Sequence, residues 1–95
     1  MAVSVVVAYD IASNSRRSRL AAALQAWGYR IQESVFQISL EEAELEGLIE
    51  EMEDIIESTD DVVHIYRLCR PCRDRIQVLG TPPSQDDGGL YRGLF

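Results

Sequence analysis

Asp10 closes an apolar, β-branched run from Val3 to Tyr9 and is the only acid in the first 32 residues. A carboxylate in that place has two ordinary uses. It can start the loop by bonding nearby backbone amides, or it can ligate a hard cation. Magnesium wants six oxygens, so one carboxylate serves only with waters, or with a symmetry-related carboxylate beside it. Two such groups a few ångströms apart repel and share a proton until a cation neutralises them. The cation would then lower the pKa of a bound water and stabilise charge on a scissile phosphate.

Arg16, Arg17 and Arg19 follow within ten residues, in the first turns of an expected helix. Cations there oppose the helix dipole by a few tenths of a kcal/mol up to about 1. Three together point to phosphate partners, with a solvated basic face as the alternative. Arg30, Arg67, Arg70, Arg73 and Arg75 extend the set on weaker grounds. Tyr9 and Phe36 can stack on bases, although strand aromatics usually serve a core or an interface. His64, the single histidine, shares parity with Val62 and Tyr66 and has no nucleophile–base set beside it. It reads as a half-buried strand residue.

Cys69 and Cys72 stand as Cys-Arg-Pro-Cys. One pair makes no secreted disulfide framework, and His64 supplies at most a third ligand where structural zinc needs four. A dithiol redox motif is expected after a first strand, at the opening of a helix. This pair follows a late strand, so it reads as two reduced thiols in a turn.

The elements that must position these residues follow from the apolar pattern. Val3 to Tyr9 reads as a strand buried on both faces. Ser13 or Asn14 caps the next helix, Gly28 ends it in a left-handed conformation, and Leu20, Ala23, Leu24 and Trp27 share one face. Tyr29 to Gln32 and Val35 to Leu40 read as a hairpin about Glu33-Ser34. Ser39 with Glu42 makes a capping box that starts a second helix near Leu40. In that helix Leu45, Leu48, Ile49, Met52, Ile55 and Ile56 form the core stripe, and acids fill the outer face. Val62 to Cys69 is a fourth strand, Pro71 breaks it, and Ile76 to Leu79 forms a short fifth. Residues 81–95 read as a linker with an apolar end.

The order β-α-β-β-α-β is the split βαβ, or ferredoxin-like, plan of an α+β domain over residues 1–80. Two helices cover one face of its sheet. Yet the first strand is apolar on both sides, with Val5 and Val7 on one and Val6 and Ala8 on the other. The same face of a second copy is the natural cover, so the pattern implies a homodimer. Asp10 shares parity with Val6 and Ala8 and lies at the edge of that face.

Composition bounds the rest. The chain has 95 residues, nine arginines, no lysine and sixteen acids, for a formal charge of −7. That total argues against a generally basic nucleic-acid binder, but the charge is segregated. Residues 33–61 hold twelve acids and no base, whereas residues 1–32 and 62–80 are each +3. A basic face and an acidic face are therefore compatible. No run of 18 apolar residues offers a membrane span. Met1-Ala2-Val3-Ser4 puts no positive charge ahead of its apolar run, so no signal peptide and a cytoplasmic location are expected.

Three segments together carry a resemblance. Val7-Ala8-Tyr9-Asp10-Ile11, then Arg16-Arg17, then Gly28-Tyr29-Arg30-Ile31-Gln32-Glu33-Ser34-Val35-Phe36 resemble the small CRISPR-associated adaptation nucleases, the Cas2 family. His64-Ile65-Tyr66-Arg67-Leu68 is similar to that family's fourth strand, so the resemblance covers residues 3–80. It implies a ferredoxin-like homodimer whose final strand joins the partner's sheet. It also implies a magnesium-dependent (or manganese-dependent) endonuclease acting on single-stranded RNA or double-stranded DNA. Members also bridge two dimers of the CRISPR integrase, Cas1, that inserts new spacers. By resemblance the metal aspartate and catalytic residue is Asp10. The nucleic-acid contributors are Tyr9, Arg16, Arg17, Arg19, Arg30 and Phe36. The Cys69–Cys72 turn and the tail lie outside the motif.

Two functions of different class follow: a metal-dependent phosphodiesterase, and a DNA-binding scaffold in which Asp10 is only a structural acid. A ferredoxin-like small-molecule regulator or a related toxin nuclease is a third, since fold alone does not fix function. The apolar end, Leu90, Tyr91, Leu94 and Phe95, is expected to dock across the dimer or on the integrase.

Overall fold

The computed structural model describes residues 2–80. Seven elements succeed one another: β1 (Ala2–Asp10), α1 (Asn14–Gln25), β2 (Gly28–Gln32), β3 (Val35–Glu41), α2 (Glu42–Ile55), β4 (Val62–Leu68) and α3 (Arg70–Asp74). The sheet order is β2-β3-β1-β4, with every neighbouring pair antiparallel. β1 and β2 therefore run parallel with β3 between them, which is the split βαβ arrangement. The expected tail contact through Leu90, Tyr91, Leu94 and Phe95 lies outside the described residues.

Alternation along the strands decides which face the helices cover. Val5 and Val7 of β1 and Phe36, Ile38 and Leu40 of β3 are buried against Leu20 and Leu24 of α1 and Leu45, Leu48 and Met52 of α2. The helical stripe of α2 is as the 3.6-residue period requires, and the acids between its buried positions are exposed. The opposite face carries no helix. Across it, Val6 stands between Gln37 of β3 and Tyr66 of β4, and Ala8 stands between Val35 and His64. Tyr66 and Val62 there are 52% and 47% exposed. Among the described residues this sheet face, with Val6, Ala8, Val35, Val62 and Tyr66 on it, is left uncovered.

Several local expectations are corrected. Gly28 does not supply a left-handed cap; it opens β2, and the last turn of α1 is capped by Ala26 in right-handed geometry. Its smallness serves a close approach, since a Cβ there would collide with the Gln37 carbonyl oxygen and stand 2.8 Å from Cγ1 of Ile38. Trp27 lies past the end of α1 and is exposed rather than in the core. The second helix starts at Glu42, not near Leu40, because the β1–β3 ladder continues to Ala2↔Glu41 and keeps Ser39 opposite Ser4. The capping box is formed by Glu41 and Glu44 instead, with the Glu41 amide donating to Oε1 of Glu44 at 2.8 Å.

The expected fifth strand at Ile76–Leu79 does not form in the single chain. Pro71 sits in the first turn of α3, a position proline tolerates well, and the chain leaves the sheet there. Beyond α3, residues 76–80 have no strand partner among the described residues, and Leu79 is 92% exposed. The resemblance places this strand on a second copy's sheet, which a single chain does not offer.

Candidate metal and nucleic-acid site

β1 delivers Tyr9 and Asp10 to opposite faces at one end of the sheet, as alternation demands. Asp10 pairs in register with Val62 of β4, lies on the open face and is exposed. Among the described residues no hydrogen bond or ion pair engages its carboxylate. Tyr9 turns inward and is 6% exposed; its hydroxyl donates to the Glu33 carbonyl at 3.3 Å. Burial pushes the Tyr9 phenol above its ordinary range, with Arg30 and Arg17 pulling the other way. It is therefore a neutral hydrogen-bond donor at working pH.

Two arginines join this end. Arg17 donates through Nη2 to the Ile11 carbonyl at 2.7 Å and through Nη1 to Oδ1 of Asn14. A guanidinium has five N–H donors, so others remain for an anion. Arg17, Tyr9, Asp10 and Glu33 line one cleft of about 230 Å³. A second hollow of about 490 Å³ continues from Tyr9, Arg17 and Glu33 to Arg30. The Arg30 guanidinium lies 5.2 Å over the Phe36 ring, and Phe36 stacks on Tyr9 with centroids 6.4 Å apart. Nε of Arg30 is buried and has no hydrogen-bond partner among the described residues.

The other expected contributors sit elsewhere. Phe36 is fully buried, so it supports Arg30 and Tyr9 from beneath and offers no face to a base. Arg19 lines a different hollow, with Trp27, Glu51 and Asp54 between α1 and α2, because it falls on the far side of the helix from Arg17. Arg67 is paired with Glu42 by two exposed bonds of 2.8 and 2.7 Å, the kind of surface pair that contributes little. Arg16 is committed as well. Its Nε and Nη2 donate to Asp61 at 2.7 and 3.1 Å, and the Asp61 side chain is fully buried.

Asp61 escaped the sequence reading. It also accepts from the amides of Ala12 at 2.9 Å and Glu57 at 2.8 Å. One carboxylate thus ties the loop after Asp10, the first turn of α1 and the end of α2 into a unit. No sequence signal separates it from Asp60 beside it or from the acidic run that precedes both. The Arg16 guanidinium holds the Asp61 carboxyl well below the usual carboxylate range, burial opposes this, and the two amides add to it. A depressed folded value stabilises above the unfolded pKa of about 3.9 and is lost as pH falls through the folded one. Asp61→Ala is expected to lower the thermal midpoint by on the order of 10 °C at pH 7. The gap between variant and parent should stay constant above about pH 5 and narrow progressively as pH falls below the unfolded pKa toward the folded one. Calorimetry across that range checks both statements; a gap that does not narrow at the lower pH would contradict the assignment.

A metal fits this end of the sheet only in part. Among the described residues no group of three His, Cys, Asp or Glu side chains converges. Asp10 is an exposed, unengaged oxygen donor at the rim of an uncovered face, which suits a hard cation only when further oxygens join it.

The family model for CRISPR associated protein Cas2 matches residues 3–76. The chain belongs to the Cas2 family. It is 34% identical over 88 residues to the CRISPR-associated endoribonuclease Cas2 1 of Chloroflexus aurantiacus, spanning 90% of this chain and 95% of that one. The CRISPR-associated endonuclease Cas2 2 of Thermus thermophilus is 38% identical over 77 residues, 81% of each chain. The crystal structure of Streptococcus pyogenes Cas2 superposes with a TM-score of 0.74 at 28% identity, covering 81% of this chain and 99% of that one. A chain of a partial Cas6-RT-Cas1–Cas2 complex shares the Cas2 fold at a TM-score of 0.68 and 22% identity, covering 87% and 92%. The names of both relatives describe nucleases, an endoribonuclease and an endonuclease. No helix of the described residues is long and apolar enough to cross a membrane.

Proposed function

We propose that the chain acts as a homodimeric, magnesium-dependent endonuclease in CRISPR adaptation, with Asp10 as the metal ligand and catalytic residue. One observation carries the reading: among the described residues Asp10 is an exposed, unengaged carboxylate at the rim of a sheet face that no helix covers. Pairing that face with a second copy brings two Asp10 carboxylates toward one axis. Magnesium or manganese bound there supplies an activated water and neutralises charge on the phosphate.

The chain's own groups do the rest. Arg17 holds the Ile11 carbonyl and so fixes the backbone that follows Asp10, while its remaining N–H groups face the cleft. Arg17 and Arg30 offer planar donors to phosphate oxygens along the outer hollow. Contacts of this kind neutralise charge without reading sequence. The substrates are single-stranded RNA or double-stranded DNA. The test is incubation of each with the protein in magnesium, manganese or EDTA. Products with either metal and none with EDTA support the reading.

The second reading is a DNA-binding scaffold that bridges Cas1 dimers during spacer integration. It is favoured by the place of Asp10 outside any group of three His, Cys, Asp or Glu side chains among the described residues, and by the shared fold with a chain of a Cas1–Cas2 complex. Metal-insensitive binding without cleavage of either substrate would select it.

Both readings use the same cations, which gives a prediction about binding. Arg17→Ala is expected to weaken affinity about equally across sequences and to flatten the salt dependence by about one unit of slope. Arg19→Ala should leave the slope nearly unchanged, and Arg16→Ala should act through stability instead. Filter binding over a salt series measures all three.

A further inference from the structure

β4 ends at Leu68, and the chain turns at once into α3 with Cys69 as its cap and Cys72 one turn on. Pro71 in the first turn fixes this geometry and sets the two side chains at helical spacing, on one side of the turn. Their sulfurs stand 2.7 Å apart, against about 2.05 Å for a disulfide bond. Both thiols are free and exposed. Cys69 Sγ also accepts from the Cys72 amide at 3.3 Å. Beside the pair opens a hollow of about 480 Å³ lined by Ser4, Leu68, Cys69, Arg70 and Arg73. Its size suits a small molecule, and the two arginines among its lining residues suit an anionic one.

We propose that Cys69 and Cys72 form a reversible dithiol–disulfide couple that exchanges with small anionic disulfides of the glutathione class. The cysteines divide the work. The Cys72 thiol and amide hold the Cys69 thiol below its ordinary range, whereas the neighbouring Cys69 raises Cys72. Cys69 is therefore the attacking thiolate. Its sulfur displaces one thiolate from the small disulfide and forms a mixed disulfide. Cys72 then gives its proton to solvent and attacks the Cys69 sulfur, expelling the second small thiolate. Two protein thiols are oxidised to one disulfide, and one small disulfide is reduced to two thiols. The closed form ties the end of β4 to the first turn of α3, at the root of the segment that continues to Gly80.

The full chain, equilibrated in glutathione buffers of graded ratio, quenched in acid, alkylated and weighed intact, tests this. Two alkylatable thiols should give way to none in a single transition, with no bound glutathione and no linked chains on a non-reducing gel. Cys72→Ser should accumulate glutathione on Cys69, whereas Cys69→Ser should react about tenfold more slowly. Arg70→Ala with Arg73→Ala should slow reaction with glutathione disulfide but not with uncharged hydroxyethyl disulfide. Circular dichroism of each variant establishes that it is folded. Thiols that stay alkylatable in excess glutathione disulfide, two stably glutathionylated cysteines, or disulfides between chains would each overturn the proposal.

Discussion

Asp10→Asn is expected to lower metal-dependent phosphodiester cleavage by on the order of 10³-fold or more, with nucleic-acid affinity unchanged or tighter. The loss follows from removing an exposed carboxylate at the cleft, and with it charge that would attract the cation. In the proposed dimer one substitution deletes both carboxylates about the axis. Affinity is preserved because Arg17 and Arg30 do not depend on Asp10 for their positions: Arg17 is held by Ile11 and Asn14, and Arg30 lies over Phe36. Two fewer negative charges beside the phosphates favour binding. Single-turnover cleavage and equilibrium binding, measured on the same preparation, separate the two effects. Undiminished cleavage would place the chemistry elsewhere.

Val6→Glu is expected to weaken self-association at least about 100-fold, from a dimer at micromolar concentration to a monomer. Val6 occupies the middle of the open sheet face, flanked by Gln37 and Tyr66 and near Ala8 and Val35. A carboxylate buried there without a partner costs several kcal/mol after relaxation, and each dimer would carry two. The fold of each chain should survive, since Val6 points away from Val5, Val7 and the helices. Sedimentation of parent and variant measures the change. A parent that is monomeric at micromolar concentration, or a variant that remains dimeric, would rule out face-to-face pairing. Cleavage should fall as dimerisation is lost, because the proposed paired site is assembled only in the dimer.

The parts of the fold written in strict periodicity were legible from the residues. The two-sided apolar β1 and the acidic-outside, apolar-inside α2 needed only alternation and the 3.6-residue repeat. Boundaries set by pairing were not. Ser39-x-x-Glu42 and Glu41-x-x-Glu44 both have capping-box spacing, and only the length of the β1–β3 ladder decides between them. Likewise Trp27 continues the α1 pattern by spacing alone, but the helix ends at Gln25. Charges were the least legible feature. Arg16, Arg17 and Arg19 are one cluster in sequence and three different environments in space: a half-buried ion pair, a cleft and the α1–α2 hollow. Asp61 could not be told from eleven neighbouring acids, yet it is the one that organises the loop behind Asp10. Cys69 and Cys72 needed the helical turn at Arg70, which Pro71 disguised as a break.

Manganese titration followed by electron paramagnetic resonance tests the paired-carboxylate site most directly. Manganese takes the same oxygen ligands as magnesium, and its free and bound forms are distinguishable by their spectra. One tightly held ion is expected for every two chains in the parent, and none in Asp10→Asn or in monomeric Val6→Glu. One ion per chain, or an ion retained by Asp10→Asn, would contradict the paired-carboxylate site.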